Sequence, residues 1–230
     1  MHKINMETVK FLRVKNRNSR FHDEKGNLIP WRNFILHFIP AFGSGLLRLL
    51  FNYRPVLPWI PYQAINELQK VLNKDKIVLE FGSGNSTIWF SKKAKAVYSV
   101  EDSEEWVDKL NKFIKKKNIK NIHCKFATDK DYYKYQTNSD LRFDLIIIDG
   151  SHRSLCLKEA INLVKSGGIV YIDDSDKDST SSSGDMRVTE SFALTISKEK
   201  NAKIEYYTDF VPTQFFVQQG MMLRLPIENP

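Results

Sequence analysis

Ile77-Val78-Leu79-Glu80-Phe81-Gly82-Ser83-Gly84-Asn85-Ser86-Thr87 is the stretch whose reading decides the fold. A short apolar run ending in an acid predicts a strand, and glycines at alternate positions predict a sharp turn after it. Neither glycine carries a Cβ, so the backbone there can turn tightly and lie close to a ligand. The small polar residues that follow open a helix whose free N–H groups point back at the same spot. Downstream, Ala96-Val97-Tyr98-Ser99-Val100 is a second apolar run, and it ends in Glu101. An acid about twenty residues beyond such a turn, at the tip of the second strand, is where a nucleotide-binding α/β sheet bonds a ribose.

Working outward, strands and helices alternate. Apolar residues at Ile65, Leu68, Val71 and Leu72 predict an amphipathic helix over Tyr62–Asn73. Strands are expected at 76–81, 95–101, 121–127, 143–149 and 168–173. Helices are expected at about 86–93, 103–117 and 154–165, the second opened by the acid-rich Asp102-Ser103-Glu104-Glu105. Leu145-Ile146-Ile147-Ile148 is apolar throughout, as a central parallel strand covered on both faces requires. A Ser/Asp-rich loop from Ser175 to Asp185, expected to be mobile, precedes a helix near Val188–Lys198. Two closing strands, 203–211 and about 215–225, read as an antiparallel hairpin on a parallel sheet.

The 230 residues suit one α/β domain, residues 62–230, behind an extension at 1–61. Two cysteines, Cys124 and Cys156, lie in apolar segments. They build neither a metal-ligand spacing nor a disulfide framework, which favours a reducing, cytoplasmic setting. The net charge of +8 is concentrated at the front: Met1–Pro61 holds ten Lys/Arg against three Asp/Glu. Attraction to a polyanion or a membrane surface must therefore come from that extension, around Lys10, Arg13, Lys15, Arg17 and Arg20. Its polar start carries no pattern of a secretory signal. Phe34–Phe51 is strongly apolar, but Pro40, Gly43 and Gly45 are expected to break it into two short helices. These would form a lid over the cofactor cleft, or lie in a membrane interface, rather than span a bilayer. Arg54–Pro61 is a proline-punctuated linker.

From Ile77 to Leu225 the chain resembles the class I S-adenosylmethionine-dependent methyltransferases. Four pieces carry the likeness: Leu79-Glu80-Phe81-Gly82-Ser83-Gly84, Ser99-Val100-Glu101 before Trp106, Phe143-Asp144-Leu145-Ile146-Ile147-Ile148-Asp149-Gly150, and Val164-Lys165-Ser166-Gly167-Gly168-Ile169-Val170. Asp-Gly-Ser-His after the fourth strand and Asp-Asp after the fifth are similar to bacterial branches that include sugar O-methyltransferases. The resemblance implies a seven-stranded, mostly parallel sheet of order 3-2-1-4-5-7-6 with the last strand antiparallel.

It also implies residue roles. Gly82, Ser83, Gly84, Ser86 and Thr87 would form the turn that holds S-adenosylmethionine, with Glu80 near its amino group and Glu101 on both ribose hydroxyls. Asp129 matches the position that holds the adenine amino group, and Asp149 lies near the cofactor. Methyl transfer to a hydroxyl asks mainly for alignment and for a base. His152 is a candidate base, with Asp149 beside it at the strand-four edge, although His152 reads equally well as an ordinary helix-start residue. Asp149, Asp173 and Asp174 match the layout that holds magnesium in metal-dependent relatives. In the non-metal reading, Arg153 or Lys177 neutralises the same acids. The Tyr132, Tyr133 and Tyr135 cluster stacks on a ligand or anchors its loop.

The acceptor implied is a sugar, glycan or other small-molecule hydroxyl. Two other classes compete. A nicotinamide-dependent oxidoreductase would share the ribose acid but wants a third glycine where Thr87 stands. A non-catalytic membrane-surface or polyanion-binding protein on the same fold would use the basic extension. Nucleic acid is not expected as a partner, because amino- and cytosine-methylating signatures are missing and the basic residues lack interleaved aromatics.

Overall fold

Helices and strands alternate along the computed structural model, which describes residues 16–135 and 141–227. In chain order they are α1 (Trp31–Phe51), α2 (Tyr62–Val71), β1 (Ile77–Phe81), α3 (Asn85–Ser91), β2 (Ala96–Glu101), α4 (Glu104–Lys117) and β3 (Ile122–Phe126). There follow α5 (Asp129–Tyr133), β4 (Phe143–Ile148), α6 (Arg153–Leu163), β5 (Val164–Ile172), α7 (Asp185–Glu199), β6 (Lys203–Phe210) and β7 (Val217–Arg224). The seven strands form one sheet of order β3-β2-β1-β4-β5-β7-β6. β1 to β5 run parallel, and β7 is antiparallel to both β5 and β6. Fold class and strand order are those the resemblance implies.

The pleat explains the layers. Along β4, Ile146 and Ile148 join one core with Leu79, Phe81, Cys156 and Leu157. Leu145 and Ile147 face the other way, onto Val78, Ile65, Leu68 and Phe90. A strand buried on both faces has no position for a polar side chain, which is why its middle reads as unbroken Leu and Ile. The parallel register sets Phe81 beside Val100 and Ile148, so the ends of β1, β2 and β4 come out together. The cleft forms at that edge.

Four local expectations change. α1 is a single helix through Pro40 and both glycines, ending in a left-handed Asn52 with φ 50°. Tertiary contact overrides the breakers: Asn33, His37, Ala41 and Gly45, spaced by four, form its buried stripe. A Cβ on Gly45 would come within 2.8 Å of the Phe215 ring, so glycine there permits close approach. The polar segment after β3 contains a short helix, α5, and β5 begins at Val164, inside the predicted helix. The loop expected to be mobile is anchored at its start. Ser175 and Asp176 are fully buried, and Arg187 donates hydrogen bonds to the carbonyls of Lys177 and Ser175.

The extension is tied to the domain. Asp23 is fully buried; it accepts from the backbone N–H groups of Lys25 and Asn27 and from the side chains of Asn27, Thr208 and Gln219. His37 Nδ1 lies 2.6 Å from Asp209 Oδ2, which also accepts from the Gln63 N–H at 2.9 Å. Arg17 pairs with Glu24 and Asp176 in near-complete burial, so it serves the fold rather than a surface. Lys10, Arg13 and Lys15 lie outside the described residues.

Candidate active site

At the carboxyl edge of β1, β2 and β4 the surface opens into a cleft of about 540 Å³. Its floor is the turn after β1. Gly82 has φ +99°, and a Cβ there would stand 2.8 Å from the Asp149 carbonyl oxygen, so only glycine lets the turn rest on the end of β4. Gly84 is different. Its φ of −180° is ordinary extended backbone, and a Cβ would meet nothing closer than Ser86 Oγ at 3.9 Å. Its missing side chain leaves the cleft open. Ser83 and Ser86 also line the floor. Thr87 lies beneath, its Oγ1 accepting from the Gly84 N–H at 2.9 Å.

Glu101 forms the facing wall. Its oxygens accept from the Ser83 N–H at 2.8 Å and the Ser103 N–H at 3.1 Å, so the carboxylate points at the glycine turn. Burial raises its pKa, against the pull of those two N–H groups. Trp106 closes the same side, its indole N–H donating to the Ser83 carbonyl at 2.7 Å. Glu80 sits behind the turn, fully buried. Its Oε2 accepts from Thr87 Oγ1 at 2.5 Å and Ser99 Oγ at 3.1 Å. Oε1 makes no hydrogen bond, although the Ser86 hydroxyl is near enough to bear on the charge. Desolvation pushes the Glu80 carboxyl up to about 8, so it is largely protonated at neutral pH.

The acids after β4 and β5 bear on one another's charge but take separate protein partners. Asp149 lines the cleft. Burial raises its pKa, and the neighbouring Asp174 charge adds to the effect while Arg153 opposes it. Asp173 is buried and is driven up by the same causes, desolvation first; it accepts from the Tyr171 hydroxyl at 2.9 Å. Asp174 turns to Arg153 Nη2 at 3.2 Å and Gln218 Nε2 at 2.7 Å. Among the described residues no group of three or more His, Cys, Asp or Glu is arranged to hold a metal. The magnesium expectation at Asp149, Asp173 and Asp174 gains no support: Asp173 and Asp174 have protein partners, and Arg153 supplies a positive charge, as in the non-metal reading.

Two other expected residues lie outside the cleft lining. Asp129 is exposed at the start of α5 with φ 50°. His152 is exposed, left-handed at φ 52°, and caps α6 with its backbone carbonyl, which accepts from the Leu155 and Cys156 N–H groups. Its ring packs edge-on to Tyr132 and Tyr133, at 6.4 and 6.1 Å. Tyr132 itself is a loop anchor: it is buried against Phe81, and any Cβ on Gly150 would overlap its hydroxyl.

Several lining residues carry no signal in the sequence. Arg54, Leu57 and Trp59 come from the proline-punctuated linker, which folds back over the cleft. The Trp59 indole Nε1 is buried without a hydrogen-bond partner, and the guanidinium groups of Arg48 and Arg54 lie over its ring at 4.9 and 5.5 Å. Asp102, adjacent to Glu101, also lines the cleft and accepts from Ser151 Oγ at 2.6 Å. The lining thus carries three carboxylates, Glu101, Asp102 and Asp149, and one cation, Arg54.

An open glycine cradle, a wall of carboxylates and two orphaned buried polar atoms fit S-adenosylmethionine, which is a cation with both ammonium and carboxylate groups. They fit a diphosphate poorly, because its charge would face those acids.

Comparison with known proteins agrees. A family described as "Methyltransferase domain" matches residues 72–210, more than half of the chain. Comparison with curated protein sequences finds no match. Among solved structures, the fold is similar to the O-methyltransferase from Bacillus cereus in complex with SAH, with a TM-score of 0.58 and 14% identity, covering 82% of this chain and 99% of that one. It is similar also to the O-methyltransferase TomG from Streptomyces achromogenes in complex with SAM, with a TM-score of 0.62 and 10% identity, covering 85% of this chain and 96% of the other. An rRNA methylase from Streptococcus thermophilus shares the fold at a TM-score of 0.52 and 16% identity, covering 76% of this chain and 98% of that one. At such identities these likenesses speak to fold, and the family match carries the assignment: the chain belongs to the class I S-adenosylmethionine-dependent methyltransferases.

Proposed function

We propose that the protein is an O-methyltransferase acting on a hydroxyl of a sugar, a glycan or another small molecule. The observation that carries this reading is Asp149: a carboxylate at the β4 edge, lining the cleft, with its affinity for a proton raised by burial and by Asp174. Bound S-adenosylmethionine would supply a methyl group on sulfonium, a leaving group that needs no acid. The chain's share is then to bind, to orient and to take one proton. Glu101 would hold the ribose hydroxyls, Arg54 would receive the carboxylate, and Gly84 leaves room for the ligand against the backbone. Asp149 accepts the acceptor's hydroxyl proton on its carboxylate oxygen. His152, exposed next to Ser151, is suited to contact the acceptor from outside the cleft. O-methyltransferases among the structural neighbours support the reaction type.

The test is calorimetry with S-adenosylmethionine and with NADH, followed by methyl transfer from a labelled donor to a panel of glycosides and phenols. The donor should bind and NADH should not. Glu101→Gln, which loses the charge but keeps the shape, should weaken donor binding by about ten- to a hundredfold, as expected for a lost charge-assisted hydrogen bond. Unchanged affinity in that variant, or NADH binding as well as the donor, overturns the assignment.

A further inference from the structure

Among the described residues, the apolar side of α1 is largely uncovered, although Phe42 packs on the ring of Phe215. Trp31, Ile35, Ile39, Phe42, Leu46 and Leu50 follow one another at helical spacing, and Ile39 is 76% and Trp31 68% exposed. A helix of 21 residues with this composition is long and apolar enough to cross a bilayer. Its other side excludes that, because Asn33 and His37 on the buried stripe bond to Gln63 and Asp209 of the domain. A helix fastened to a folded domain along its length can lie on a membrane without crossing it.

Charge indicates which surface it meets. From Gly26 to Asn66 the sequence contains no Asp or Glu. Arg32 stands at the start of α1 and Arg48, which also donates to Thr213 Oγ1, in its last turn, while the exposed side between them is uncharged. An in-plane amphipathic helix has this layout: aliphatic side chains in the acyl region, with arginines reaching to phosphates and aromatic residues at the ends. Trp31 and Tyr53, 68% and 56% exposed, are the aromatic ends. A second copy of the chain is a poorer occupant, since pairing two such faces would bring arginines together with no carboxylate between them.

We propose that α1 docks the enzyme in the plane of an anionic phospholipid bilayer. This inference is independent of the acceptor and of the catalytic roles above. Its test is flotation of the full-length protein with vesicles of phosphatidylcholine alone and with roughly 30 mol% phosphatidylglycerol, at low and high salt. The protein should float with the anionic vesicles, much less with the neutral ones, and be partly released by salt. Ile39→Glu with Leu50→Glu, both on the exposed side, should lower binding by at least about tenfold while melting temperature and S-adenosylmethionine affinity stay as in the wild type. Should that pair fail to fold, Ile39→Ser with Leu50→Ser carries the same expectation. Flotation with neither vesicle, equal flotation of a folded variant, or a dimer in sedimentation equilibrium that the substitutions dissociate without any vesicle binding would each overturn the proposal.

Discussion

Glu80 shows how a buried acid in a parallel sheet couples stability to pH. Its carboxyl titrates near 8 in the folded chain, against an ordinary value of 4.5, because burial disfavours the charge. The folded state holds this proton more tightly than the unfolded chain. Stability from this group is therefore complete below about pH 4.5 and is lost as pH rises toward 8. Glu80→Gln keeps acceptors for Thr87 and Ser99 and should flatten that slope, so that the variant melts higher relative to wild type at pH 8 than at pH 5. Thermal scans across that range check it. Asp149 makes a kinetic counterpart. As the base it must be unprotonated, so kcat should fall on the acid side through a midpoint above the ordinary carboxylate value of 3.8. Asp149→Asn should remove that limb and lower kcat by about a hundredfold or more. His152→Ala, a change outside the cleft lining, should leave the limb in place.

At the scale of elements, the turn after β1 is the rigid part. Gly82→Ala places a Cβ 2.8 Å from the Asp149 carbonyl at φ +99°. The variant should lose about 2 kcal/mol or more and bind the donor weakly, as urea titration and calorimetry would show. This turn was legible from residues alone, because glycine at a left-handed position and an acid at the next strand tip are local necessities. The β4 run was legible for the same kind of reason, since burial on two faces leaves only Leu and Ile. α1 was not. Pro40, Gly43 and Gly45 are local arguments for a break, and the partner that overrides them, Phe215 against Gly45, is far away in sequence. Nor could linker residues such as Arg54 and Trp59 be assigned to the cleft, because folding back across a site leaves no periodic mark. The three clustered acids were visible, and so was Arg153 as a cation to neutralise them, but their partners Tyr171 and Gln218 were not.

For the molecule as a whole, the extension and the sheet should unfold as one. Asp23 is the joint, holding the loop before α1 to β6 and β7 through Thr208 and Gln219. Asp23→Ala leaves several buried donors unsatisfied and should cost on the order of 3 kcal/mol. Tryptophan fluorescence and circular dichroism should still report a single, coincident transition. A separate early transition for the extension would show two independent units instead. The joint also has a bearing on how the protein is made. Asp23 and Gln219 are 196 positions apart, so at about 5–20 residues per second the ribosome delivers the second roughly 10–40 s after the first. For most of that interval the apolar α1 segment has been made without the β6 strand it packs against, leaving its shelter to whatever waits at the exit tunnel.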